Sequence, residues 1–398
     1  MQWLRRFLRT RLGLVTGVLV MVGLLCVMQI ARLQSPYDPI GEIRVKLEAA
    51  YATASSSVML EETTSLAVAA ISANRSQRQL LHRQHKSDSS QTKARAKLPP
   101  KMDFAFPISR TNVCFGDSPP NDLFLLIIVH SAASHFHNRE LIRETWANEV
   151  WRRKQGAAVL FIVGTPVSEA VQTKVVNESV TFGDIIQYNY LDTYRNMTHK
   201  NLAGLTYISQ FCQTLPFSYI LKTDDDMFVY LRPIVAHLRQ YEYCHPHATR
   251  TILCAELQRR EVVQRDRKGK WFVAWEDFPD KHYPPYCYGG GYVLTRDLVE
   301  GLLSAAGKVP FYWIDDVFVT GLTAKALGGV QHVQFPGQNP IKGYVCDVKC
   351  MQTNRRWFMH TLQRADMIKN YYRVVKDYGL VHDNIDPEGC PATKSGRR

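Results

Sequence analysis

Residues 219–230 read YILKTDDDMFVY: an apolar run, Tyr219-Ile220-Leu221, then Lys222 and Thr223, then Asp224, Asp225 and Asp226 without a spacer. Adjacent anions repel one another, and strands disfavour Asp. Two readings fit such a row. Asp is a good turn residue, so the row can be a solvated turn. It can also be a metal site. Side chains alternate along extended chain, which would set Asp224 and Asp226 on one side and Asp225 on the other. Two carboxylates on one side suit a hard divalent cation, which takes oxygen ligands.

The flanking sequence places this row in a fold. LFLLIIVH (123–130) and AVLFIVG (158–164) are continuous apolar runs of strand length, and IIQYNY (185–190) is a third. Between them, 139–148 and 168–177 read as helices. Residues 200–215 carry Leu202, Leu205, Ile208, Cys212 and Leu215 on one helical face. Strand–helix alternation with short connections predicts an α/β fold: a largely parallel sheet flanked by helices. Ligands of such sheets bind beyond the carboxyl ends of the strands, where the acidic row would sit.

The N-terminus has another composition. Arg5, Arg6, Arg9 and Arg11 precede Leu12–Ala31, which carries no charge. That run is long enough to cross a bilayer as a helix, and the basic cluster before it favours a cytoplasmic N-terminus. Residues 1–11 therefore read as a cytoplasmic tail and 12–31 as a transmembrane signal anchor. A cleaved signal peptide is the alternative, with no clear cleavage site in its favour. Residues 32–103, whose aromatics are Tyr37 and Tyr51, have little to build a core from and read as a luminal stem. Residues 104–398 form the expected luminal domain.

Three glycosylation triplets begin at Asn74, Asn177 and Asn196. Of nine cysteines, Cys26 lies in the apolar run, and the other eight form an even set compatible with disulfides in an oxidising lumen. The net charge of +13 permits an anionic partner. No basic block with interleaved aromatics and no zinc-finger or RNP-like pattern is present, so nucleic acid is not an expected partner.

Several blocks, in order, resemble the β-1,3-galactosyltransferase/β-1,3-N-acetylglucosaminyltransferase family, glycosyltransferase family 31. Arg139-Glu140-Leu141-Ile142-Arg143-Glu144-Thr145-Trp146 is similar to its Arg-x-x-Ile-Arg-x-Thr-Trp motif. Phe182–Ile186 and Asp192–Lys200 resemble its second block, and Lys222–Val229 its Lys-x-Asp-Asp-Asp-x-Phe-Val motif. Tyr283-Pro284-Pro285-Tyr286-Cys287, with Gly289-Gly290-Gly291-Tyr292 following, resembles its tyrosine–glycine element, and Ile314–Gly321 its acidic-pair motif.

The resemblance implies a Rossmann-like nucleotide-sugar transferase fold of the GT-A type, a UDP-sugar donor, Mn²⁺, and an inverting transfer that makes a β-1,3 bond to a glycan acceptor on a glycoprotein or glycolipid. It also implies a Golgi membrane protein of single-pass type II layout. Asp226 and Asp224 are the expected metal residues, with His360 completing the shell. Asp224, Asp225, Lys222, Arg139, Arg143 and Gly290 are expected at the donor. Asp316 is the expected catalytic base, with Asp315 positioning it or contacting acceptor. Asp is also a favoured helix N-cap, so a structural role for the pair stays open. Arg139 and Arg143, four apart on one helix face, can equally serve the fold. Trp271, Trp275 and Tyr286 are candidate sugar-stacking or core residues. Galactose is the favoured donor sugar, although the Asp315-Asp316 pair also resembles N-acetylglucosaminyl-transferring members. A catalytically inactive carbohydrate-binding relative would share the same layout.

Overall fold

The structure is a computed structural model and describes residues 99–116, 122–336, 357–361 and 366–377. The expected tail, anchor and stem up to residue 98, with Asn74, lie outside these residues. Among the described residues no helix is long and apolar enough to cross a membrane.

The short helix α1 (Asn112–Phe115) leads in, and the Leu125–His130 run forms β1. Helices α2 (Phe136–Glu144) and α3 (Glu149–Lys154) connect it to β2 (Ala157–Thr165). Helix α4 (Glu169–Phe182) precedes β3 (Ile185–Leu191). Its ends are legible locally: the Ser168 hydroxyl accepts from the Val171 amide, and Gly183 closes it at φ 61°. A 3₁₀ turn, Tyr194–Asn196, runs into α5 (Met197–Phe211), which precedes β4 (Tyr219–Asp224). The predicted 200–215 helix stops short of Pro216, which disfavours helix before it.

The chain continues through β5 (Met227–Val229), α6 (Leu231–Cys244), β6 (Thr251–Cys254), β7 (Leu257–Gln258), β8 (Tyr286–Cys287) and β9 (Gly291–Thr295). Helix α7 (Leu298–Ala306) follows, then a stretch of π-helix, Val317–Thr323, that runs into α8 (Ala324–Leu327). Strands β10 (Gln331–Gln334) and β11 (Phe358–His360) and helix α9 (Asp366–Asp377) complete the described elements.

Seven strands form one sheet in the order β10-β6-β9-β4-β1-β2-β3. Its pairs are parallel except where β9 runs antiparallel between β4 and β6. This is a mixed α/β fold with a mostly parallel, Rossmann-like sheet. Alternate residues of the strands feed two cores. Leu126 and Ile128 pack with Leu202 of α5 and Leu298 of α7, while Leu125, Ile127 and Val129 pack with Leu141 of α2, Ile234 of α6 and Ile368 of α9.

From β1 the chain crosses to β2 on one side, and β4 lies on the other. The carboxyl ends of β1 and β4 therefore flank the point where strand order reverses, the ligand position of open α/β sheets. Two disulfides tie elements to this frame. Cys114–Cys212 joins α1 to the end of α5, and Cys254–Cys287 joins β6 to β8.

The Cys114–Cys212 bond spans 98 residues, so it closes a long loop. Replacing both cysteines by Ala should lower unfolding free energy by about 4 kcal/mol. Urea unfolding of the protein reads this directly, and a loss below about 1 kcal/mol would contradict it.

Candidate active site

Strand β4 ends at the acidic row, and its three carboxylates go to different places. The Asp225 amide donates to the His130 carbonyl, which carries the turn across from β1 (3.0 Å). The Asp225 carboxylate points back into the protein. Its Oδ2 accepts from Ser131 Oγ (2.6 Å) and the Ala132 amide (3.3 Å), and lies 2.9 Å from His135 Nδ1. The bond to Asp225 raises the His135 pKa. Asp225 thus fixes the 131–135 loop rather than meeting a donor itself.

That loop is held from several sides by buried charge. Lys200 Nζ donates to the Ser131 carbonyl (2.6 Å) and to Asp192 Oδ1 (2.7 Å), and Asp192 Oδ2 accepts from the Ala133 amide (2.5 Å). Arg139 is wholly buried. It donates to Ser131 Oγ and to the Ala132 and Ala133 carbonyls, and grips Glu178 with Nε and Nη2. Arg143 bridges Glu178 and Asp184 at 2.7 and 2.8 Å. Arg139 and Arg143 were expected at the donor or in the service of the fold; here both face carboxylates behind the loop. Their guanidinium donors are committed to carboxylates and carbonyls behind the loop, so neither is presented to a phosphate.

Lys222 is the central cation. It is buried, and its Nζ donates to Asp224 Oδ1 (2.8 Å) and to the Gly289 carbonyl (2.6 Å), and lies 3.6 Å from Asp315 Oδ2. Burial works against its charge, but Asp224, Asp315 and Tyr292 outweigh it and its pKa is raised. His130, one strand over, has its pKa held far down by burial, then by Lys222 and Lys200. Its imidazole stays neutral.

Asp226 meets His360, with Oδ2 and Nε2 3.3 Å apart. Their proximity follows from a second, two-stranded sheet. Strand β11 pairs antiparallel with β5, which sets His360 opposite Met227, and the Thr361 amide donates to the Asp226 carbonyl. Burial raises the pKa of Asp226, and it raises that of Asp224 to about 7, with Asp226 and Asp315 adding repulsion that Lys222 offsets. Among the described residues no three His, Cys, Asp or Glu side chains converge closely enough to hold a metal ion by themselves.

The acidic pair closes the site from the other side. Asp316 caps the π-helical stretch: Oδ1 accepts from the Val317 amide and Oδ2 from the Gly289 amide, both at 2.8 Å. Burial, then Asp315, raises its pKa to about 7, although Lys222 and the two amides oppose this. Asp315 Oδ2 accepts from Asn201 Nδ2 (3.1 Å), and the same amide donates to Tyr292 OH.

The glycine run fits between these motifs. A Cβ at Gly289 would lie 3.1 Å from Asp316 Oδ2. One at Gly290 would lie 2.5 Å from Tyr288 Cε1 and 3.2 Å from the Met227 sulfur. Tyr288 therefore lies along the glycine wall. Burial, followed by Asp224, Asp226 and Asp316, raises its phenol pKa. Of the candidate stacking residues, Tyr286 is buried in the core against Gly321, whereas Trp271 and Trp275 are exposed. Asn177 is exposed on α4; Asn196 is half-buried, donates to the Leu191 carbonyl, and has its triplet's Thr198 hydroxyl buried on the Tyr312 carbonyl.

Sequence reading missed Ser131, Glu178, Asp192, Lys200, Asn201 and Tyr288. Asp192 and Lys200 lie inside a family-like block, which was the available signal. Tyr288 occupies an unspecified position of its motif and carried none.

Acidic motifs and a glycine wall gather at the switch point of such a sheet, where open α/β sheets bind their ligands. A family model described as galactosyltransferase matches residues 137–336, which hold both acidic motifs and the glycine run. A mouse (Mus musculus) acetylgalactosaminyl-O-glycosyl-glycoprotein beta-1,3-N-acetylglucosaminyltransferase is 35% identical over 208 residues, 50% of this chain and 51% of its own length. The chain thus spans about half of that relative. Human (Homo sapiens) beta-1,3-galactosyltransferase 5 is 33% identical over 280 residues, 69% of this chain and 82% of its own. A Xenopus laevis lactosylceramide 1,3-N-acetyl-beta-D-glucosaminyltransferase A is 30% identical over 270 residues, 65% and 69% of the two chains. The chain belongs to the galactosyltransferase family.

Arg139→Met would leave buried Glu178 with Arg143 alone. We expect a loss of about 3 kcal/mol in unfolding free energy. Thermal and urea unfolding test it; an unchanged midpoint would show that the pair is dispensable.

Proposed function

We propose that the chain is an inverting β-1,3-glycosyltransferase of GT-A type that moves a hexose, galactose by preference, from a UDP-sugar to a glycan hydroxyl. The observation that carries this reading is the convergence of two separate acidic motifs, Asp224–Asp226 and Asp315–Asp316, on one buried lysine and one glycine loop.

The donor set fits a divalent cation. Asp226 and His360 offer an oxygen and a nitrogen, which suit Mn²⁺. Diphosphate oxygens would supply the remaining ligands. The bound cation would neutralise the charge that grows on UDP as it leaves. The repulsion that raises the Asp224 and Asp226 pKa values is what a cation there would relieve.

Inversion needs one base, opposite the leaving group. The acceptor oxygen bonds to the anomeric carbon, the bond from that carbon to the diphosphate oxygen breaks, and the acceptor proton passes to Asp316. Its two backbone hydrogen bonds leave lone pairs free and fix its orientation. Asp315 holds Asn201 and faces Lys222, so it positions the pair. The description of the matching family model, galactosyltransferase, favours galactose as the donor sugar. The similar proteins include transferases of both kinds, so N-acetylglucosamine is the second donor.

The same proposal places the domain in the Golgi lumen, anchored by residues 12–31. The Cys114–Cys212 and Cys254–Cys287 bonds support an oxidising compartment.

A donor panel of UDP-galactose, UDP-N-acetylglucosamine and UDP-N-acetylgalactosamine, with and without Mn²⁺, tests the activity. Metal-dependent transfer from UDP-galactose is expected, and no turnover with any donor would reject the enzyme reading in favour of an inactive carbohydrate-binding relative. Asp226→Ala should abolish metal-dependent UDP binding. Asp316→Asn should keep UDP binding and lose transfer by about 100-fold or more; full activity would remove it as the base. A base works only when deprotonated, so kcat/KM of the wild type should fall as pH drops through about 7, the Asp316 value. A flat profile from pH 5 to 8 would contradict that assignment.

A further inference from the structure

The loop between β7 and β8 begins and ends at the site. It is narrowed by the Val262–His282 bridge, and its return strand leads straight into the glycine run, with Cys287 bonded to Cys254. Its outer part, Arg265-Asp266-Arg267-Lys268-Gly269-Lys270-Trp271, carries four cations and one anion. This part reaches across to the 3₁₀ turn before α5, where Trp271 Nε1 donates to Tyr194 OH (3.0 Å).

The contact completes a chain of rings and cations beside the proposed base. Tyr194 and Trp271 are 48% and 49% exposed. Lys270 Nζ lies 4.6 Å from the Tyr194 ring centre and 5.4 Å from that of Trp271. Tyr194 packs on Trp313 at 6.1 Å, and the Arg195 guanidinium lies 3.9 Å over Trp313. Trp313 is two residues before Asp315. The whole group lies on the rim at the N-terminal end of α5, whose Lys200 and Asn201 reach the 131–135 loop and Asp315. Among the described residues no carboxylate pairs with Arg195 or Lys270.

Exposed rings present apolar faces and edges of the kind that pyranose rings pack on, and two cations over adjacent rings set a positive field at the same place. We propose that Arg195, Lys270, Tyr194 and Trp271 form an acceptor subsite for a saccharide carrying a negative substituent, a sulfate or a carboxylate. This rests on the transferase reading for its placement, but it concerns binding and can be tested without turnover.

The test measures equilibrium binding to the luminal domain saturated with UDP. The probes are p-nitrophenyl N-acetyl-β-glucosaminide, its 6-O-sulfate, and p-nitrophenyl β-glucuronide. At low salt the sulfate, the glucuronide or both should bind about tenfold tighter than the neutral sugar, and 0.5 M NaCl should erase most of the difference. Which anionic probe gains identifies the substituent. The preference should fall to about one in the Arg195→Ala/Lys270→Ala double variant and persist in Arg195→Lys, with UDP affinity unchanged throughout. Equal binding of neutral and anionic probes by the wild type would overturn the proposal. So would a preference that survives the double variant, or one lost together with UDP affinity through a general loss of structure. Failure of transfer with every donor, with the anionic preference intact, would sink the enzyme reading and not the subsite.

Discussion

Buried Lys222 is the interaction on which the site depends. A lysine out of water is stable as a cation only among compensating charges. Asp224 supplies one partner from the same strand, Asp315 another from the far motif, and the Gly289 carbonyl a third from the loop between. Each partner belongs to a different segment, so satisfying one ammonium group sets the distance between the donor side and the acidic pair. The glycine run has to come close enough for its carbonyl to reach, and the Gly289 amide then falls to Asp316.

Behind this sits a second layer with the same logic. The 131–135 loop sends a small residue, Ala133, into the hydrophobic core. It is held by Asp225, Lys200, Asp192 and Arg139, and Arg139 is in turn held by Glu178. Such buried networks become costly when one member is removed, so they fix one geometry. The exposed arginines and lysines, by contrast, are left to the rim, where Arg195 and Lys270 rest on aromatic faces.

Much of the fold was legible before the structure. Continuous apolar runs at 123–130, 158–164, 185–190 and 219–223 become four adjacent strands, with ends displaced by a residue or two. The alternation of strand and helix gave the parallel pairing. The antiparallel insertion of β9 was not legible, because a short buried strand has the same composition in either direction. Nor was the β5–β11 pair, whose partners are separated by more than a hundred residues.

The row of three Asp shows where the division falls. By itself the sequence determined that an apolar strand ends in carboxylates and that a second acidic pair follows ninety residues later. These are local properties of backbone geometry and spacing. Where extended-chain alternation was expected, Asp225 and Asp226 form a turn between β4 and β5. Only the tertiary structure decided which charges neutralise which. Lys222 went to the acidic motifs, Arg139 and Arg143 went to Glu178 and Asp184, and His360 came to Asp226. Sequence spacing carries no record of such pairings, because burial and long-range contact set the partners of a charge.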